Sequence, residues 1–160
     1  DHLTAALFWQ KTGTNIVHVP YKGGGPAIND LIGGHANASF QNLGAVAQHI
    51  RAGKLKALAI TGDKRAAALP DVPTIAEAGV ADLVVYSWQA AAAPKGLPAN
   101  VRKKLETEIA AAANSPDVKK QFNDIGFDVV ASTGVQFTEF LTAETQRWKT
   151  VVEQGKITAE

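Results

Sequence analysis

Apolar residues recur at helical spacing at both ends of the chain, and fall in short unbroken runs between them. Leu3, Leu7 and Phe8 share one face of a predicted helix over 3–11, which Gly13 is placed to stop. Asn15-Ile16-Val17-His18-Val19 is a β-branched run closed by Pro20 and reads as a strand. A short helix is predicted over 26–32, with Pro26 in its first turn and Gly33-Gly34 behind it. Residues 36–40 read as a second strand, 43–51 as a helix stopped by Gly53, and 55–60 as a third strand. Strands joined by intervening helices imply a parallel sheet with right-handed crossovers, so the fold class is α/β.

From 62 to 82 the pattern turns irregular, punctuated by Pro70, Pro73 and Gly79, with a helical turn predicted around 74–78. Residues 83–88 read as a fourth strand, and the small-residue stretch 89–97 behind it marks a boundary. The rest is mostly helical. A helix over 98–113 carries Val101, Leu105, Ile109 and Ala112 on one face. Ser115 is placed to cap the next helix, with Pro116 at its first position and Val118, Phe122 and Ile125 as its stripe. Gly126 ends it, and 127–130 fits a short edge strand. Thr133 followed three residues later by Gln136 fits a capping box. The helix it opens has Phe137, Phe140, Leu141, Trp148, Val151 and Val152 on its apolar face. Three helical faces with hardly any sheet to cover imply a partner absent from this sequence, either an N-terminal lobe or a second chain.

Composition narrows the class. The chain has 160 residues, 46% of them apolar and 19% charged, as in a globular protein. Its formal net charge of +1 and scattered basic residues give no case for nucleic acid. No apolar run approaches the roughly 18 residues that span a bilayer. There is no cysteine, which excludes a disulfide framework and a thiolate metal site. The sequence contains no methionine and starts directly in a helical pattern, so a truncated or processed product is expected.

The sharpest local feature is Pro20-Tyr21-Lys22-Gly23-Gly24-Gly25-Pro26-Ala27, between a predicted strand and a predicted helix. Glycines let backbone N–H groups approach a ligand, and the first N–H groups of a helix suit an anion. Lys22 adds charge and Tyr21 a hydroxyl. A tight βα turn alone would also account for three glycines. The motif lacks the Gly-Lys-Ser/Thr of a phosphate-binding loop, and Ile28 stands where a dinucleotide fingerprint needs its third glycine. A second junction, Phe40-Gln41-Asn42-Leu43-Gly44, offers two amides, with Asn42 also placed to cap the following helix. The third is Thr61-Gly62-Asp63-Lys64-Arg65. In a parallel sheet these three junctions share the carboxyl edge, where α/β folds bind ligands.

Catalytic and metal groupings are weak. His2, His18, His35 and His49 lack metal spacing; His18 reads as a packed strand residue, and His35 and His49 as surface residues. No serine sits in a nucleophile elbow, and Asp71 and Glu77 are not marked as an acid/base pair. Tyr86 and Trp88 could line a cleft, with core or hinge packing the favoured role for Trp88. Nothing argues for an enzyme or calls for a cofactor.

The run from His18 through Ala27 resembles the tripartite tricarboxylate transporter receptors, also called the Bug family. The similarity continues through Asp30-Leu31-Ile32-Gly33-Gly34, Phe40-Gln41-Asn42, and His49 through Ala59. It takes in Leu69-Pro70-Asp71-Val72-Pro73-Thr74 with Glu77-Ala78-Gly79, and Ala93-Pro94-Lys95-Gly96-Leu97-Pro98. It covers essentially the whole chain, but only the second half of a typical member. The resemblance implies a type II periplasmic-binding-protein-like fold, two α/β lobes hinged around a cleft. Residues 1–88 would be most of the second lobe, 89–97 the hinge crossover, and 98–160 a segment packing on a largely absent first lobe. It further implies a periplasmic receptor passing a small carboxylate to membrane permease subunits. The second-lobe ligand contacts would be Tyr21, Lys22, Gly23, Gly24, Gly25, Pro26, Ala27, Gln41 and Asn42. Many members carry aspartate where Gln41 stands, and an uncharged amide repels an anion less. A ligand-sensing or interaction module that signals to a membrane partner is the alternative reading. With one wall of the cleft, the chain alone is expected to bind more weakly than a two-lobe protein.

Overall fold

The computed structural model describes residues 1–158. Six helices follow in order: α1 His2–Thr12, α2 Gly24–Ile32, α3 Leu43–Arg51, α4 Ala99–Asn114, α5 Pro116–Asp124 and α6 Gly134–Gly155. Their ends follow local chemistry. Gly13 takes the left-handed conformation at φ 64° that a side chain resists, and its N–H closes α1 on the Trp9 carbonyl at 2.9 Å. At α6 the expected capping box forms in both directions: the Gln136 N–H donates to Thr133 Oγ1, and Gln136 Oε1 accepts from the Thr133 N–H. Ser115 occupies the N-cap of α5, but its hydroxyl turns back to donate to the Ala112 carbonyl at 2.8 Å, so it closes α4 instead.

Of the predicted parallel sheet, one bridge is made among the described residues. Residues 15–19, 36–40, 55–60, 83–88 and 127–130 form no strand ladder among the described residues. One parallel bridge, Ile60 with Thr74, is made, from the Ile60 N–H to the Pro73 carbonyl at 2.8 Å and the Ile75 N–H to the Ile60 carbonyl at 2.7 Å. Beside it the Val85 N–H donates to the Thr61 carbonyl at 2.9 Å, and Thr61 Oγ1 donates to the Val85 carbonyl at 2.8 Å. In the first and third runs Val17 is 87% exposed and Leu58 68%.

The core sits where α1, the bridged segment and the far end of α6 meet. Ala6 and Leu7 of α1, Ile75, Leu83, Val85 and Val151 of α6 form one buried cluster, with Leu83 at 1% exposure its most enclosed member. Hydrogen bonds tie α6 down: Gln10 Nε2 donates to the Val151 carbonyl at 3.0 Å, and Arg147 Nη2 to the Val84 carbonyl at 2.6 Å. Thus part of the α6 apolar face finds cover within residues 1–88. Helices α4 and α5 pack on each other but bury no residue, and Val101, Leu105, Ile109 and Phe122 lie open.

The irregular segment is held by a small polar knot. Residues 74–78 make the expected helical turn, with the Ala78 N–H on the Thr74 carbonyl at 3.0 Å. Thr74 and Glu77 cap each other: the Thr74 N–H donates to Glu77 Oε2 at 2.7 Å and the Glu77 N–H to Thr74 Oγ1 at 3.1 Å. Arg65 Nε donates to the same carboxylate oxygen at 3.0 Å. The Arg65 guanidinium, and after it the Thr74 N–H, hold the Glu77 carboxyl below its ordinary 4.5. A carboxyl with a lowered folded pKa adds stability above its unfolded value, and that contribution is lost as pH falls through the folded one. Denaturant melts of the wild type and Glu77→Gln should therefore differ at neutral pH and converge as the pH drops below 4.5.

Candidate functional site

The first junction is built by glycine. Gly23, the residue before α2, lies at φ 92°, and its N–H folds onto the Tyr21 carbonyl at 2.9 Å. This sharp turn aims the start of α2 away from the preceding run. Gly24 and Gly25 then open the helix, and no side chain caps it. Tyr21 does not hold its hydroxyl proton free: it donates to Asp30 Oδ2 at 2.8 Å, nine residues on and still within α2's span. That bond to a carboxylate pushes the Tyr21 phenol above its ordinary pKa. Ala27 and Ile28 are buried and anchor the helix, whereas Lys22, Gly25 and Pro26 are exposed.

The second junction lies against the first. A Cβ on Gly24 would stand 3.1 Å from Gln41 Oε1, so the missing side chain is what lets the amide in. Gln41 Nε2 donates to Ser39 Oγ at 2.8 Å, which turns its carbonyl oxygen toward α2. Asn42 is the N-cap of α3, but its side chain makes no capping bond; only its backbone carbonyl is used, accepting from the Ala45 N–H at 3.0 Å. The capping role read from the sequence is thus not taken up.

At the third junction the charges are already matched. Tyr86 lies over the buried Gly62, accepts from the Asp63 N–H at 3.0 Å and donates to Asp63 Oδ1 in a short hydrogen bond. Burial, and then the Asp63 carboxylate, raise the Tyr86 phenol pKa. Lys64 Nζ pairs with Asp128 Oδ2 at 3.0 Å, and Arg65 with Glu77. Both cations of this junction are therefore already paired.

All three junctions line one trough. Tyr21, Gly23, Gly24 and Ala27 stand on it with Gln41 and Asn42, and Thr61, Gly62 and Asp63 with Tyr86. Lys22, Gly25 and Pro26 lie outside the lining. The trough measures about 3680 Å³, several times the roughly 300–1,000 Å³ of a fitted small-molecule pocket. Trp88 packs edge-on against Phe137 at 5.4 Å and Phe140 at 5.8 Å, joining the boundary stretch to α6. His18 stacks on His2 with ring centroids 4.0 Å apart and meets the edge of Trp9, outside the three junctions. His35 is exposed and His49 half-buried. Among the described residues no group of three or more metal-ligating side chains occurs, and no helix is long and apolar enough to cross a membrane.

The three junctions thus present backbone N–H groups and the Gln41 and Asn42 amides to one wide trough. Residues 1–157 match the model of the tripartite tricarboxylate transporter family receptor, and the chain belongs to that family. It is 41% identical over 153 residues to Protein BugT of Bordetella pertussis, covering 96% of this chain and 47% of that one. A solved R. palustris structure with adipate superposes with a TM-score of 0.89 at 34% identity, over 98% of this chain and 52% of that one. MatC from Rhodopseudomonas palustris with bound malate gives 0.83 at 28% identity, over 94% and 52%. The family is one of receptors, not enzymes. The chain spans about half the length of these relatives.

Proposed function

We propose that this chain forms one wall of the cleft of a periplasmic receptor that captures a small carboxylate and hands it to a tripartite membrane transporter. The observation that carries this reading is the side-by-side opening of α2 and α3 on the trough, neither end capped by a side chain. Each helix start offers N–H groups with no internal partner and a partial positive charge, worth ~0.3–1 kcal/mol to an anion when exposed and up to ~2 when partly buried. Gly24, Gln41 and Asn42 bring the two starts together, and the Gln41 amide adds no negative charge. Tyr21 acts through its ring and through Asp30, which fixes it, rather than by donating its proton to the ligand.

Related proteins solved with adipate and malate support a carboxylate as the ligand class, and a relative described as a periplasmic transporter supports the compartment. Residues 1–88 then supply most of the second lobe, 89–97 the crossover and 98–160 a segment reaching toward the first. The carboxylate would be delivered to permease subunits. Thermal denaturation against a panel of mono-, di- and tricarboxylates tests the reading. A binding acid at a hundred times its Kd should stabilise by ~2.7 kcal/mol, or roughly 5–10 °C for a chain of this size. Shifts with sugars and none with any acid would sink the ligand class.

A further inference from the structure

Two of the three junctions touch the same short segment, residues 125–128, although more than sixty positions separate it from Lys64 and about eighty from Gly44. The segment is not a loose loop. It folds back on the end of α5, with the Gly126 N–H on the Asn123 carbonyl at 3.0 Å and the Phe127 N–H on the Phe122 carbonyl at 2.9 Å. The Phe122 and Phe127 rings pack at 6.4 Å, and Gly126 takes φ 84°.

Its fit to the site wall is close. A Cβ on Gly44, in the first turn of α3, would lie 3.1 Å from the Ile125 carbonyl oxygen and 3.3 Å from the Phe127 ring. A Cβ on Gly126 would strike Leu43 Cδ2 at 2.8 Å. Two glycines thus face each other's segments, directly behind Gln41 and Asn42. At the third junction Asp128 holds Lys64 at 3.0 Å, with both side chains about 70% exposed. A pair so exposed is weak and screened by salt, so it can be made and released easily.

We propose that residues 125–128 are a latch that fixes the second and third junctions in their ligand-facing arrangement, and that latch closure and ligand binding favour each other. The proposal rests on the receptor reading above for its ligand and on the glycine and ion-pair contacts for its geometry. By linkage, whatever factor the closed latch adds to ligand affinity, ligand adds to latch closure.

The contact can be trapped. A Cβ on Gly126 would stand 3.6 Å from Leu43 Cβ, inside the ~3.5–4.5 Å range of disulfides, and the chain has no other cysteine. In Leu43→Cys/Gly126→Cys, mass spectrometry should follow disulfide formation in a glutathione redox buffer. Adipate is expected to speed it severalfold, and the oxidised protein to bind adipate about tenfold tighter than the reduced one by calorimetry. Lys64→Glu in that background should slow cross-linking, and adding Asp128→Lys should restore it. Without the cysteines, Lys64→Glu should weaken adipate binding and the charge swap should recover it. Cross-linking indifferent both to adipate and to the charge at 64 would overturn the latch. Cross-linking that follows the charge at 64, while no acid binds the wild type, would keep the latch contact and bring down the receptor reading together with its coupling. If the double-cysteine protein does not fold, the charge-swap pair carries the test alone: failure of the swap to recover affinity overturns the proposal.

Discussion

Leu83→Ala is expected to lower the unfolding free energy by about 2–5 kcal/mol, the range for emptying a well-packed leucine site. Leu83 is 1% exposed and shares its cluster with Leu7, Ile75, Val85 and Val151, so elements from three distant parts of the chain would have to collapse together to refill the space. Its neighbour Val84, at 36% exposure, points the other way and lends only its carbonyl to Arg147. Val84→Ala should therefore cost well under half as much in the same urea titration. Equal costs would mean that the cluster does not hold the fold. A consequence for the site follows, because Val85 is the residue that pairs with Thr61. Loosening Leu83 should also raise hydrogen exchange at the Val85 N–H, and with it the freedom of the Tyr86–Asp63 corner.

The second large effect concerns α6. Val151→Asp would place a carboxylate at a position only 3% exposed, beside Ala6 and Leu7. An uncompensated buried charge costs on the order of 3–5 kcal/mol, enough to detach the end of α6 from α1. The control is Thr150→Asp one position earlier, on the exposed face of the same turn, which should stay within about 0.5 kcal/mol of wild type. Circular dichroism melts of the two variants separate the buried face from helix propensity, since both add the same side chain to the same helix. Matching melts would show that α6 does not depend on that contact.

Helices were readable because their signals are local. The α3 bounds Leu43–Arg51 follow from its apolar spacing and from Gly53, and Gly13 and the Thr133–Gln136 box act as their residue types dictate. The reciprocal Thr74–Glu77 cap has the same three-residue spacing, with glutamate in place of glutamine, but it lies among prolines in a stretch whose pattern reads as irregular. Strands were less readable. A ladder depends on a neighbour elsewhere in the chain, and among the described residues one bridge, Ile60 with Thr74, is made.

In the candidate site the three junctions were legible as places, since each sits before a helix or at a run's end, but their polar partners were not. Tyr21 goes to Asp30, Lys64 to Asp128 and Asp63 to Tyr86, choices set by tertiary approach over separations that no local motif encodes. Asn42 and Ser115 show the same limit from the other side. Both stand at an N-cap with suitable side chains, and neither uses it; for Ser115 the hydroxyl goes instead to the Ala112 carbonyl, a competing bond that spacing does not reveal.

The open faces of α4 and α5 bear on how the protein behaves as a colloid. Val101, Leu105, Ile109, Phe122 and Ile125 are each at least 40% exposed, while a formal net charge of +1 offers almost no electrostatic repulsion between molecules. The sequence isoelectric point near 8.2 makes mildly alkaline buffer the worst choice, since there even that repulsion vanishes. Moving to mildly acidic buffer restores like charge on every molecule, and kosmotropic salts such as sulfate would drive these same faces together out of solution.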